Sequence, residues 1–208
     1  MKLIVDFDDT IFDTGKLKEV IFSTLHKIGI HNGEELYMRE RAKETPFSLH
    51  SFLHRICTEN GYEGESNLLY ENIMEECHPF VNKALISILQ NTGKENCYVV
   101  THGDDTFQRD KINSTKVSDL VEEVIVVPGS KKEIIESLCA RFPNEEIIFV
   151  DDKSRFFNDI HMEICPNLKT VLYNEHGLTN LMAEIEASRR EEQNKKADNE
   201  NSVFPKMR

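Results

Sequence analysis

The run Lys2-Leu3-Ile4-Val5, stopped by Asp6-Phe7-Asp8-Asp9-Thr10, constrains this chain more than any other stretch. A short apolar segment that ends abruptly in carboxylates predicts a buried strand delivering acids to its C-terminal edge. Alternation along an extended chain places Asp6 and Asp8 on one side. Two carboxylates held that close repel each other unless a cation neutralises them. A hard divalent ion, Mg2+ above all, suits that task, because it commonly takes one or two protein carboxylates together with substrate phosphate.

The same pattern recurs. Cys97-Tyr98-Val99-Val100-Thr101 predicts a strand ending in a hydroxyl, followed by His102-Gly103, where the glycine allows a close approach of backbone to a bound anion. Val124–Val127 predicts the next strand, bounded by Pro128-Gly129. Ser130 is then the expected N-cap of a helix over 131–142, with Glu133 as its capping-box partner. Glu146–Val150 predicts the most deeply buried strand, and it delivers Asp151-Asp152. Helical patterns lie between these strands. One opens at Pro79-Phe80 and ends at Gly93, two short pieces fall within 104–122, one runs over 153–164, and one over 178–187 follows a last strand at 169–173. Strands alternating with helices imply a mostly parallel sheet covered on both faces. Sites in such sheets sit at the carboxyl ends of the strands, which is where Asp6, Thr101 and Asp151 fall.

Residues 15–78 carry no strand pattern. Leu17, Val20, Ile21, Leu25 and Ile28 describe one amphipathic helix, broken across 29–33. An exposed helix is expected over 35–43. Thr45-Pro46 supplies an N-cap and first-turn proline for a helix bearing Phe47, Leu49, Phe52, Leu53 and Ile56. Another passes through Leu68, Leu69, Ile73 and Met74. Such a segment is either an insert standing over the site or additional core packing.

Asp6-x-Asp8-x-Thr10, then Thr101, a lysine at 131 or 132, and Asp151-Asp152, each at a strand or helix end and in this order, resemble the four motifs of the haloacid dehalogenase-like superfamily of phosphohydrolases and phosphotransferases. The resemblance implies an α/β, Rossmann-like, doubly wound parallel sheet with a small helical cap of the C1 type inserted after the first strand. Residues 1–14 and 79–187 would form the core and 15–78 the cap, which in this superfamily closes over the site and excludes water. It also implies a Mg2+-dependent phosphatase acting on a small phosphorylated metabolite. Asp6 would be the nucleophile and Asp8 the general acid and base. Thr101, the motif lysine and the backbone N–H groups of Phe7 and Asp8 would hold the phosphoryl oxygens. Asp6, the Asp8 backbone carbonyl, Asp151 and Asp152 would surround the metal. Lys131 is favoured over Lys132, because Ile134 and Ile135 then follow at core-facing spacing; Lys132 stays open. His102 either reaches substrate or caps its loop. Asp9 reads as a surface acid and Thr10 as a residue that orders the loop. An aspartate at position 8 favours phosphoryl transfer over the dehalogenase branch. A phosphomutase or other phosphotransferase, and a binding protein with a residual site, are the alternatives.

Composition narrows the partners. The 208 residues carry a net charge of −12, opposite to what a nucleic-acid backbone binder needs. No apolar run reaches the length of a membrane span or a signal segment, so a cytoplasmic protein that meets neither membrane nor nucleic acid is expected. Five scattered cysteines, Cys57, Cys77, Cys97, Cys139 and Cys165, read as reduced structural thiols. From Ser188 the composition turns to charged and polar residues, and a frayed or disordered tail over 188–208 is expected. Arg39, Arg41, Lys43, His50, His54 and Arg55 could read a substrate anion. His50 and His54, four apart, read as a surface pair.

Overall fold

A computed structural model describes residues 1–43, 45–62 and 64–203. The core is a five-stranded parallel sheet: β1 (Lys2–Val5), β2 (Cys97–His102), β3 (Glu123–Val127), β4 (Ile147–Asp151) and β5 (Leu168–Leu172), in the order β3-β2-β1-β4-β5. Strand order therefore reverses at β1. That is the place where an open α/β sheet leaves a crevice at its carboxyl edge.

Side-chain alternation divides the core into two clusters. Leu3, Val5, Val99, Ile148 and Val150 point to one face, where they meet α1 (Thr14–Lys27), α5 (Lys83–Thr92), α6 (Asp105–Ser114) and α9 (Gly177–Val203). Ile4, Tyr98, Val100, Ile147 and Phe149 point to the other, covered by Ile135, Leu138 and Cys139 of α7 (Lys132–Arg141) and by Phe156 of the short helix α8 (Arg155–Asn158). The sheet is thus wound on both faces, as the alternation of elements predicts. All five cysteines are buried and free. Among the described residues no helix is long and apolar enough to cross a membrane.

Between β1 and β2 lie α1, α2 (Gly33–Arg41), α3 (Leu49–Glu59) and α4 (Ser66–Glu75). Their apolar faces join the first cluster without a break, so Phe52, Leu53 and Ile56 of α3 belong to the same buried body as Val5 and Phe7. The helical segment leaves and rejoins the core at one point. Asp13 N–H donates to Phe80 O and Asn82 N–H to Ile11 O, both at 2.8 Å, and Phe12 and Val81 form an antiparallel bridge.

That bridge corrects one expectation. Pro79-Phe80 does not open a helix, because residues 80–82 are spent pairing with 11–13. α5 starts at Lys83, with the Asn82 side chain accepting from Ala84 N–H at 3.1 Å and Leu85 N–H at 3.4 Å. Asn82 also donates to the Tyr173 hydroxyl at 2.5 Å. Asn82→Ala is expected to cost about 1 kcal/mol, the usual loss for an N-cap. That corresponds to a Tm lower by roughly 2–4 °C in a domain of this size. An unchanged melting curve would show the cap to be dispensable.

Other boundaries move for local reasons. Thr45-Pro46 stays outside α3, whose cap is Ser48, accepting from Ser51 N–H. Phe47 is drawn into an aromatic cluster with Tyr37, Phe52 and Phe107. The helix expected to be exposed over 35–43 spans Gly33–Arg41 and buries Tyr37 in that cluster. The helix expected over 153–164 shrinks to Arg155–Asn158, flanked by turns in which Phe156, Ile160 and Ile164 N–H each bond three residues back. The tail expected from 188 is instead a continuation of α9 to Val203, anchored where Ser188 is buried. Its Arg, Glu, Gln and Lys residues have high helix propensity. Residues 204–208 of that expected tail lie outside the described residues.

Candidate active site

Register sets the site. Val5 pairs with Val150 and Val99, so one step beyond, Asp6 and Asp151 lie side by side at the ends of neighbouring strands, and Thr101, next to last in β2, stands on the other flank. Asp6 N–H donates to Val150 O at 2.9 Å, holding the two acids level. After Asp6 the chain turns sharply. Asp9 takes a left-handed backbone (φ 59°), a conformation that short polar side chains tolerate, and its N–H donates to Phe12 O at 2.8 Å. Beyond that turn Asp6 and Asp8 meet different ammonium groups. Each has its own lysine.

Lys131 is fully buried and donates to Asp6 Oδ1 at 2.5 Å and to Asp151 Oδ2 at 2.6 Å. It sits at the N-cap position of α7 and is aimed inward. Lys132, one residue on, lies at the surface with Nζ 3.0 Å from His161 Nε2. The capping box expected between Ser130 and Glu133 is replaced by a bond from Lys132 N–H to Ser130 Oγ at 3.1 Å. Opposite, Lys111 of α6 pairs with Asp8 Oδ1 while Gln108 Nε2 donates to Asp8 Oδ2 at 2.8 Å. Thr14 Oγ1 also lies 3.5 Å from Asp8 Oδ1. Neither partner of Asp8 on α6 is among the residues the sequence reading names. Their signal is faint but real: Phe107, Gln108, Lys111 and Ile112 form the buried stripe of α6, and a lysine and a glutamine within such a stripe need a reason to be there.

Burial dominates the electrostatics. It pushes the Asp6 carboxyl well above the ordinary carboxylate range; Lys131 pulls against that rise, and the Asp151 charge adds to it. Burial likewise raises Asp151 against the pull of the same lysine. Burial acts on Asp8 in the same sense, but Lys111 and the Gln108 hydrogen bond outweigh it and leave Asp8 below its usual value. Asp6, Asp151 and Asp152 each offer a carboxylate oxygen within 4.8 Å of the others. Such an oxygen set suits a hard divalent cation. Lys153 N–H donates to Asp151 Oδ1 at 2.8 Å and its ammonium pairs with Asp152 at 3.1 Å, which fixes the loop beyond β4.

A cavity of about 240 Å³ opens over these groups and is lined by Asp6, Asp8, Thr101 and Lys131, with His102 and Gly103 at the same strand end. One feature leaves hydrogen-bonding capacity at its wall: Thr101 Oγ1 is buried and has no protein partner. Buried polar groups are seldom left without a partner, so this hydroxyl marks a place where something else is expected to bind. His102 is half-buried; burial lowers its pKa against a hydrogen bond with the Pro128 backbone that works to raise it. At Gly103 a Cβ would fall 2.5 Å from Gln108 Nε2, so the glycine makes room for the side chain that holds Asp8. His50 bonds Asn67 at 2.9 Å and stands apart from the acidic cluster.

The fold is that of the haloacid dehalogenase-like hydrolases. A candidate haloacid dehalogenase-like hydrolase from Burkholderia xenovorans superposes with a TM-score of 0.66 at 19% identity, covering 85% of this chain and 84% of that one. A candidate β-phosphoglucomutase from Thermotoga maritima gives 0.55 at 14% identity, covering 89% and 100%. A dehalogenase in an intermediate complex gives 0.50 at 11% identity, covering 86% and 94%. No protein-family profile matches the sequence, and no curated protein matches it either.

Proposed function

We propose that this protein is a Mg2+-dependent phosphatase that hydrolyses a small phosphate monoester through an aspartyl-phosphate on Asp6. The observation that carries the reading is a convergence in one cavity: the buried Asp6–Lys131–Asp151 group beside the partnerless Thr101 hydroxyl. Lys18, Arg41, Lys43, Lys153 and Arg155 line the same cavity in a chain of net charge −12. That local excess of cations supports an anionic substrate. The 15–78 segment, whose Tyr37, Arg41 and Phe47 reach the cavity, would act as its cap.

In this reading Asp6 attacks phosphorus in line while the ester P–O bond breaks, and the departing oxygen takes a proton from the Asp8 carboxyl. A phosphoryl dianion arriving beside Asp8 favours its protonated form, offsetting the pull of Lys111. Water then attacks the aspartyl-phosphate, gives its proton to Asp8, and frees inorganic phosphate and Asp6. Thr101, Lys131 and the Phe7 and Asp8 N–H groups hold the phosphoryl oxygens as charge builds on them. A Mg2+ ion held by Asp6, Asp151, Asp152 and the Asp8 carbonyl would supply further positive charge at those oxygens.

Colorimetric measurement of phosphate release across a panel of phosphorylated metabolites, with Mg2+ and with chelator, tests the proposal. Release that needs Mg2+ is expected. Transfer to an added sugar phosphate in place of release to water would favour a mutase, the activity named for the Thermotoga neighbour. No turnover and no metal binding would favour a binding protein.

Metal binding has its own readout. Saturating Mg2+ to about 100 times its Kd is expected to stabilise the fold by about 2.7 kcal/mol. That is roughly 5–10 °C in Tm. Because burial lifts the folded Asp6 carboxyl above its unfolded value, ionising it costs stability as pH rises toward neutrality, and protons compete with the metal below that range. The Mg2+-induced rise should therefore be larger at pH 8 than at pH 5.5. An equal rise in Asp151→Asn would place the ion elsewhere.

A further inference from the structure

Lys111 is buried to the same degree as Lys131, yet the chemistry above gives it no part. Its ammonium lies 4.7 Å from the ring centre of Phe107, 5.4 Å from that of Phe12 and 5.6 Å from that of Phe7, and it is paired with Asp8 Oδ1. Burying a lysine is a poor way to gain stability, since a well-packed apolar side chain in place of a buried ion pair is often neutral or better. The aromatic faces offset part of that desolvation. What the arrangement does supply is geometry. Gln108 Nε2 holds the second oxygen, Asp8 Oδ2, at 2.8 Å and is itself tied to His102 O at 3.1 Å. Absence of a side chain at Gly103 lets Gln108 sit there. Each oxygen of Asp8 thus has one donor from the buried stripe of α6, and the donors come from neighbouring turns of one helix.

We propose that Lys111 and Gln108 are positioning residues for Asp8, fixing the plane of its carboxyl group against the cavity so that it meets the leaving oxygen of the ester. This rests on the phosphatase reading, with Asp8 as proton donor. The two bonds act through Asp8 and not on substrate, so in the step that forms the aspartyl-phosphate their loss should matter only where the leaving group needs a proton; the water attack that follows uses Asp8 whichever ester was cleaved.

Two esters separate those cases. A nitrophenolate departs as a stable anion, whereas an alkoxide must be protonated as it leaves. In Lys111→Met, kcat/KM, which reports only the steps through departure of the alcohol, is expected to fall about a hundredfold for the best alkyl phosphate of the metabolite panel, the lower range of general acid–base catalysis, and to change no more than about threefold for p-nitrophenyl phosphate. Inorganic phosphate should inhibit the variant with the wild-type Ki. Gln108→Met should give the same split with a smaller loss, since it removes a neutral donor. Melting curves establish that each variant is folded, and should Lys111→Met fail to fold, Gln108→Met decides alone. Equal losses on both esters would mean a merely structural role. A weaker Ki for inorganic phosphate would mean that Lys111 binds the phosphoryl group, and unchanged kinetics would mean no role; each overturns the proposal. A wild-type protein that cleaves neither ester and forms no phosphoryl adduct on Asp6 would instead bring down the phosphatase reading, and this inference with it.

Discussion

Asp6→Asn is expected to eliminate phosphate release, with kcat lower by at least about four orders of magnitude, the scale on which removing a covalent nucleophile acts. The substitution keeps the shape of the side chain and removes the charge that, in the proposed reading, attacks phosphorus. It should leave the fold intact, because Lys131 keeps Asp151 as a partner at 2.6 Å and one buried carboxylate disappears. Tm is therefore expected to stay at the wild-type value or to rise. A sample incubated with substrate, quenched in acid and examined by mass spectrometry should carry a phosphoryl adduct on Asp6 in the wild type and none in the variant. Turnover at the wild-type rate in a folded Asp6→Asn protein would remove Asp6 from the chemistry and end the phosphatase reading.

Lys131→Met should have the largest effect on stability. In the wild type one ammonium serves two buried carboxylates, and taking out the cation leaves both facing each other in a dry site. Breaking a buried pair in this way typically costs about 3–5 kcal/mol. For a domain of this length that is roughly 6–20 °C in Tm. The sign with pH follows from the same picture. Without Lys131 the folded Asp6 and Asp151 carboxyls move further above their unfolded values, so the variant should be closest to wild type in mild acid and fall away from it as pH rises through neutrality. Mg2+ should restore part of the loss at pH 8 by taking over the neutralising role. Calorimetry at several pH values measures this, and a deficit independent of pH would mean that lost packing, not charge, is responsible.

How much of this could be read from sequence depends on how local the cause is. β1, β2, β3 and β4 were legible because each is a short apolar run with abrupt ends, and because register then lines up Asp6, Thr101 and Asp151 without further information. The choice between Lys131 and Lys132 turns on helical phase, which the sequence carries: Ile135 of α7 is buried, and Lys131 lies one turn before it. Lys111 and Gln108 carry only a faint signal, since Asp105–Ser114 is polar overall and a lysine there reads as solvated. Only the packing of α6 against the turn after β1 brings them to Asp8. The boundaries at 79–83 and 153–164 depart from local helical preference for a similar reason, as bridges and turns set by distant strands override it.

The bridge between Phe12 and Val81 has a practical consequence for anyone who would rebuild this molecule. Departure and return of the polypeptide at one spot set the two ends of the Asp13–Phe80 stretch side by side. A foreign helical module with neighbouring termini can join there without reordering a strand, provided that it rebuilds the apolar faces through which Leu17, Ile21 and Leu25 share one buried body with the sheet.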